Sequence, residues 1–175
     1  AETQKDIAKA MLKQAEAELD WQKETDDLIK YLAEQGATLA TEYALDYTLQ
    51  YMSERKAFGK TINKFQALRH KMVEHATDVE HCKIFNYAAV ARLNNKEYVV
   101  KEATMAKLKS TKVADEAIYS CLQMLGGYGY MEEYPLARLL RDSRLGPIGG
   151  GTSEILREIL SKMIIDKQSY QPAVK

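Results

Sequence analysis

The sequence predicts an all-α protein: an up-down four-helix bundle carrying one further helix at its N-terminus. Three observations lead there. Apolar residues recur at helical spacing over long runs, and no stretch alternates convincingly as a strand. The long runs are separated by short polar breaks such as Asn94-Asn95-Lys96. Seven of the nine glycines and two of the three prolines fall between Leu125 and Leu160, which leaves the chain before them almost free of helix breakers.

Each element follows from its own pattern. Residues 1–23 read as an added amphipathic helix, from Thr3 to about Lys23, with Thr3 as its cap and Asp6 in its first turn. Ile7, Met11, Ala15 and Leu19 recur every four residues, so one apolar stripe packs it on the bundle. The rest is Lys, Glu, Gln and Asp, the filler of a surface helix. Residues 24–167 are the bundle. Glu24-Thr25-Asp26-Asp27 breaks the first helix and caps the second, which runs to about Ser53 with Leu28, Leu32, Leu39, Tyr43, Tyr47 and Tyr51 on one face. Those tyrosines read as a core rim, rings packed and hydroxyls in water.

A turn at Arg55–Lys60 precedes a third helix, about Asn63 to Leu93, whose Phe65, Leu68, Met72, Val79, Asn86, Ala89 and Leu93 keep a near-heptad beat. A fourth helix, Glu97 to Leu125, carries Val100, Ala103, Leu108, Val113, Ala117, Cys121 and Met124 and ends at Gly126-Gly127. A polar and aromatic turn, a short basic segment (Leu136 to Arg144) and the loop Gly146–Gly151 lead to a last helix, about Ser153 to Ile165. Residues 168–175 read as a frayed tail.

The totals exclude several function classes. A chain of 175 residues holds one domain with a full core. Lys plus Arg and Asp plus Glu balance at 25 each, which argues against a nucleic-acid surface. Cys82 and Cys121 stand apart, so buried reduced thiols are expected. His70, His75 and His81 are spaced by five and six, which puts neighbours on different faces and excludes an i,i+4 metal pair; solvated or capping histidines are expected. No apolar run reaches membrane-spanning length and no targeting segment is visible. The expectation is a soluble protein, cytoplasmic or, for a eukaryotic parent, of the mitochondrial matrix.

Two motifs carry a resemblance. GGYGYMEEYPLARLLRDSRLGPIGGGTSEI, from Gly126 to Ile155, resembles the C-terminal signature of the acyl-CoA dehydrogenases. Arg55-Lys56-Ala57-Phe58-Gly59-Lys60, followed by Phe65-Gln66, resembles the same family's second motif, in its order and about its spacing. The likeness covers roughly Ala37 to Lys167, one of the family's three domains, and implies its C-terminal four-helix bundle. In that family a carboxylate removes the α-proton of an acyl-CoA thioester while the β-hydride passes to FAD. The C-terminal domain also holds the adenosine diphosphate half of a neighbour's FAD across a dimer interface.

Carried over by motif, the FAD contacts would be Arg55, Phe58, Phe65, Gln66, Gln123, Gly126, Gly127, Thr152 and Glu154. A guanidinium for pyrophosphate, backbone N–H groups at glycines and a hydroxyl at a helix start make physical sense of the set. A structural role competes at several positions: Gly126 and Gly127 would stop a helix in any case, and Arg55 can pair with Glu54 or Asp46.

The general base is missing from both family positions. Where one branch has glutamate in the glycine loop, this chain has Gly150. Where the long-chain and isovaleryl branches have glutamate on the first bundle helix, the matched position is Ile29. Neither can accept a proton, and general-base catalysis is worth on the order of 10² to 10⁴ in rate. Asp26 and Asp27 lie nearby but off register. The GGGTSEI loop points to a long-chain or isovaleryl-like parent.

The expected protein is therefore an isolated or redesigned bundle, with an engineered N-terminal helix covering surface that truncation exposed. It would hold no FAD and perform no catalysis, with homodimer formation through the bundle possible. The alternative is a working flavoprotein component that binds FAD and acyl-CoA with the help of other domains; a yellow purified protein would favour it. Deleting residues 1–23 should lower the melting temperature appreciably, and an unchanged melting curve would show that segment to be a passive tail.

Overall fold

The computed structural model describes residues 37–169. The helix expected over residues 1–23, the break at residues 24–27, Ile29 and the tail from residue 170 onward lie outside the described residues. Within them the chain is all-α: α1 (Ala37–Glu54), α2 (Gln66–Asn94), α3 (Val100–Leu125), α4 (Gly127–Tyr130), α5 (Pro135–Ser143) and α6 (Ser153–Ile164). Two-residue strands β1 (Lys56–Ala57) and β2 (Lys60–Thr61) pair antiparallel, Lys56 opposite Thr61 and Ala57 opposite Lys60. A 3₁₀ turn at Ile62–Lys64 leads into α2.

Helix α3 is the axis. It packs against α1, α2, α4, α5 and α6, and 15 of its 26 residues are buried, leaving one exposed stripe through Lys109, Lys112, Glu116, Tyr119 and Gln123. Its buried alanines and serines let neighbours approach. Ala44, Leu45 and Met52 of α1, Met72, Val79 and Cys82 of α2, Val113, Ile118 and Cys121 of α3, and Leu136 of α5 form one core. Both cysteines are buried and free.

Several expectations need correction. The Arg55–Lys60 turn is a β-hairpin, although no strand was expected. The third helix begins at Gln66, because the 3₁₀ turn takes up residues 62–64, and the fourth begins at Val100. The basic segment is itself helix α5, with Pro135 at its N-terminus, where a missing N–H costs nothing.

On α1 the buried face is not the Leu39–Tyr43 face: Leu39 is 50 % and Tyr43 52 % exposed, while Thr41, Ala44, Thr48 and Met52 are fully enclosed. Threonine can enter because its hydroxyl bonds within the helix; Thr48 Oγ1 donates to the Ala44 carbonyl at 2.7 Å. Tyr47 and Tyr51 do form a half-buried rim.

Asn86 breaks the apolar beat of α2 for a reason visible across the interface. Its amide exchanges hydrogen bonds of 3.3 and 3.4 Å with Ser110 Oγ of α3, a buried pair that sets the register of the two helices.

His75 is the second exception. His70 and His81 are exposed, whereas His75 is half-buried on α2 and its Nε2 is enclosed with no hydrogen-bond partner among the described residues. Burial, reinforced by Lys71, pushes its pKa below the ordinary 6.5, against the opposing pull of Asp78, Glu74 and Glu116. A depressed folded-state pKa means that stability present above the unfolded value is lost as pH falls through the folded one. Chemical denaturation between pH 7 and 5 should therefore show wild type losing more stability than His75→Gln. Identical losses would show that this ring carries no such penalty.

Candidate functional site

Arg55 leaves the end of α1, its N–H still donating to the Tyr51 carbonyl at 2.8 Å. The hairpin that follows turns at Phe58 (φ 51°) and Gly59 (φ 79°), both left-handed. Two successive positive φ values make the two-residue turn that matches strand twist. Phenylalanine is an unusual occupant of such a site, and its ring stands 96 % exposed. The edge of one ring meets the face of the other between Phe58 and Phe65, centroids 6.3 Å apart. Lys60 Nζ lies 4.4 Å over the Phe65 ring. Gln66, exposed at the start of α2, has its Nε2 3.4 Å from His70 Nε2.

Opposite the hairpin, α3 ends at Gly126, whose φ of 61° redirects the chain. Gly129 then comes so close to α3 that a Cβ there would sit 2.3 Å from the Leu122 carbonyl oxygen. That approach folds Tyr128 back beside Tyr51 and Tyr134, at centroid distances of 6.1 and 5.3 Å. Tyr51 Oη donates to the Leu125 carbonyl at 3.3 Å, fastening α1 to the end of α3.

Between these parts opens a groove of about 570 Å³, lined by Tyr51, Arg55, Ile62, Gln123, Met124, Leu125, Gly126, Gly127, Tyr128 and Met131. The Arg55 guanidinium lies 5.6 Å over the Tyr128 ring. Neither Glu54 nor Asp46 pairs with it, and no carboxylate among the described residues lies within 4.0 Å. An exposed guanidinium held by an aromatic face, beside backbone amides at glycines, is suited to an anion.

The glycine loop lies elsewhere on α3. Lys107 is only 4 % exposed. Its ammonium donates to the carbonyls of Gly150 and Gly151, at 2.7 Å each, and to that of Gly149. Burial pushes its pKa down, while three carbonyl acceptors favour the charged form. Gly150 (φ 59°) and Gly151 (φ 97°) both need the left-handed region to point their carbonyls this way. Position 150, where the resemblance looked for a base, thus offers backbone only.

Thr152 caps α6, its Oγ1 accepting from the Ile155 N–H at 3.4 Å. Glu154 pairs with Arg157 at 3.1 Å. Its carboxyl is held below the ordinary range, first by its own backbone N–H and then by Thr152. Glu154 and Arg157 border a second open hollow of about 630 Å³ with Lys109, Lys112, Asp115 and Arg144.

Of the nine expected contacts, then, Arg55, Gln123, Gly126 and Gly127 meet in one groove. Phe58, Phe65 and Gln66 continue along the hairpin and the turn after it, and Thr152 and Glu154 belong to the α6 end. Sequence reasoning missed Lys107 and Tyr128. The signal for Lys107 was present: it sits in register with Ala103, Ser110, Ala114, Ala117 and Cys121, a lysine inside a stripe of small core residues. No group of three or more His, Cys, Asp or Glu gathers for a metal among the described residues, and none of their helices is long and apolar enough to cross a membrane.

Residues 32–165 match the family model described as Acyl-CoA dehydrogenase, C-terminal domain. The caffeyl-CoA reductase-Etf complex subunit CarC of Acetobacterium woodii is 39 % identical over 124 residues, 71 % of this chain and 33 % of the relative. The mitochondrial long-chain specific acyl-CoA dehydrogenase of Sus scrofa is 36 % identical over 129 residues, 74 % of this chain and 30 % of the relative. A crystal structure of a probable acyl CoA dehydrogenase from Mycobacterium abscessus superposes with a TM-score of 0.76 at 33 % identity, covering 83 % of this chain and 38 % of that one. The chain spans about a third of the length of the curated relatives it matches.

The groove's geometry rests on Gly129. Gly129→Ala should cost about 1–3 kcal/mol, since the new methyl must displace a helix carbonyl. A melting temperature equal to wild type would show that the α3–α4 approach is looser than described.

Proposed function

Since the chain belongs to the acyl-CoA dehydrogenase family, carrying its C-terminal helical domain, we propose that its groove is the adenosine diphosphate half of an FAD site. The observation that carries this reading is the meeting of Arg55, Gln123, Gly126 and Gly127 around one open groove, with the guanidinium free of any carboxylate partner among the described residues. Arg55 would hold pyrophosphate, the Gly127 N–H would approach it closely, the Gly126 N–H being taken by the Gln123 carbonyl at 3.1 Å, and the Gln123 side chain would meet a polar group of the nucleoside. Phe58, exposed at the hairpin tip, with Phe65 and Gln66, would extend the contact toward a neighbouring subunit. Thr152 and Glu154 would contact a cofactor at the other end of the domain, consistent with a homodimer whose two sites are shared.

When bound, the flavin supplies the hydride acceptor. The described residues supply no carboxylate at position 150. The proposed protein is thus a bundle of the long-chain or isovaleryl-like branch, as its Gly149–Gly151 loop suggests, that does not oxidise acyl-CoA unaided. Residues 1–23 as an engineered cover, residues 24–167 as the bundle and residues 168–175 as a tail belong to the same reading and rest on sequence alone.

A second reading has an observation in its favour. The groove is open and Phe58 stands in water, as surfaces do that a further domain or chain completes. On that reading the chain is the C-terminal part of a working FAD-dependent acyl-CoA dehydrogenase.

Fluorescence titration with FAD should give binding weaker than micromolar, because half a site seldom offsets an association cost of several kcal/mol. Arg55→Gln should weaken it further. No acyl-CoA oxidation above background is expected with an artificial electron acceptor and added FAD. Micromolar or tighter binding together with turnover would overturn the half-site proposal and establish the second reading. Binding indifferent to Arg55→Gln would remove the groove from either.

A further inference from the structure

We infer that Lys107 is the positioning residue of the glycine loop: by gathering three consecutive carbonyls on one side, it commits the N–H groups of Gly150, Gly151 and Thr152 to the other. The two sides are linked by peptide geometry. In a trans peptide the C=O of one residue and the N–H of the next are antiparallel in one plane, and the chain has no cis bond among the described residues. Carbonyls of Gly149, Gly150 and Gly151 pointing at Lys107 therefore turn the following three N–H groups away from it.

Lysine suits this task for definite reasons. Its ammonium has three donors and no acceptor, and three carbonyls take all of them. Its burial is expensive unless compensated, yet it forms no ion pair within 4.0 Å among the described residues. The compensation is the loop itself, so lysine and loop hold each other. The loop cannot bring this about alone. Both Gly150 and Gly151 are left-handed, and glycine in that region is as free to leave it as to stay. A fixed cation turns a hinge into a rigid lead-in to α6, ahead of Thr152 and Glu154.

That this outward face meets a dinucleotide rests on the proposed function; the positioning does not. Backbone ¹⁵N relaxation on the full chain separates the two. In wild type the order parameters of Gly150, Gly151 and Thr152 should match the helices, at about 0.85. In Lys107→Met, which keeps the stem but not the donors, they should fall below about 0.6, with the amides of α1 and α3 unchanged. A lower melting temperature without that local loss would reduce Lys107 to core filling and overturn the inference.

Should Lys107→Met fail to fold, the wild-type side chain decides. A slowly exchanging ammonium signal coupled to the carbonyls of residues 149–151 supports the inference, and one exchanging as fast as surface lysines refutes it. FAD added to both proteins gives a separate answer: no perturbation of wild type at any attainable concentration defeats the functional reading and leaves the loop result standing.

Discussion

Helix α3 keeps one stripe in water but buries 15 of its 26 residues, and the constraint on that buried part shapes the rest of the molecule. Its side chains must be small enough for neighbours to come near, and each polar one must find its partner inside. Thr104 and Thr111 donate back to the carbonyls of Val100 and Lys107, at 2.7 and 2.9 Å. Ser110 finds Asn86, and Lys107 finds the glycine loop. A buried polar group left unpaired costs about 1–3 kcal/mol, so each of these pairings constrains the element that supplies the partner. The register of α2 and the path of residues 149–151 follow from α3 as much as from their own sequences.

Both regions of interest hang from that helix. Its C-terminus delivers Gln123, Gly126 and, after the close pass at Gly129, the Tyr128 ring over which Arg55 lies. Its middle delivers Lys107 to the loop that opens α6. The hairpin contributes from the opposite wall, and the Tyr51 hydroxyl, bonded to the Leu125 carbonyl, keeps the two walls together.

Much of this was legible in the residues. Long 3.6-residue periodicity and glycine punctuation gave the helices, and the two motifs led to residues that do meet in the groove. What stayed hidden has physical causes. Phe58-Gly59 does not look like a hairpin turn because aspartate or asparagine usually takes the first left-handed position. Thr41 and Thr48 look polar, yet both are enclosed in the core, Thr48 with its hydroxyl bonded inside the helix, which turned the apparent face of α1 toward Leu39 and Tyr43. Lys107 lies on a stripe of small core residues, but nothing local in the sequence names a partner for a buried lysine. Only the loop folded against it, more than forty residues later, makes its burial reasonable.

The central position of α3 also imposes an order on assembly. Helix α1 joins the common core mainly through residues of α3, which follow it in the chain only after the whole of α2 has been made. As the chain leaves the ribosome, the apolar faces of α1 and α2 must wait in water for the strut that will cover them. The contact from Tyr51 to Leu125 spans 74 residues and closes late, because loop-closure entropy is lost before such distant partners can reward it. The helix that organises the finished bundle is thus the one its earlier parts must do without, and their exposure in that interval is set by the length of α2.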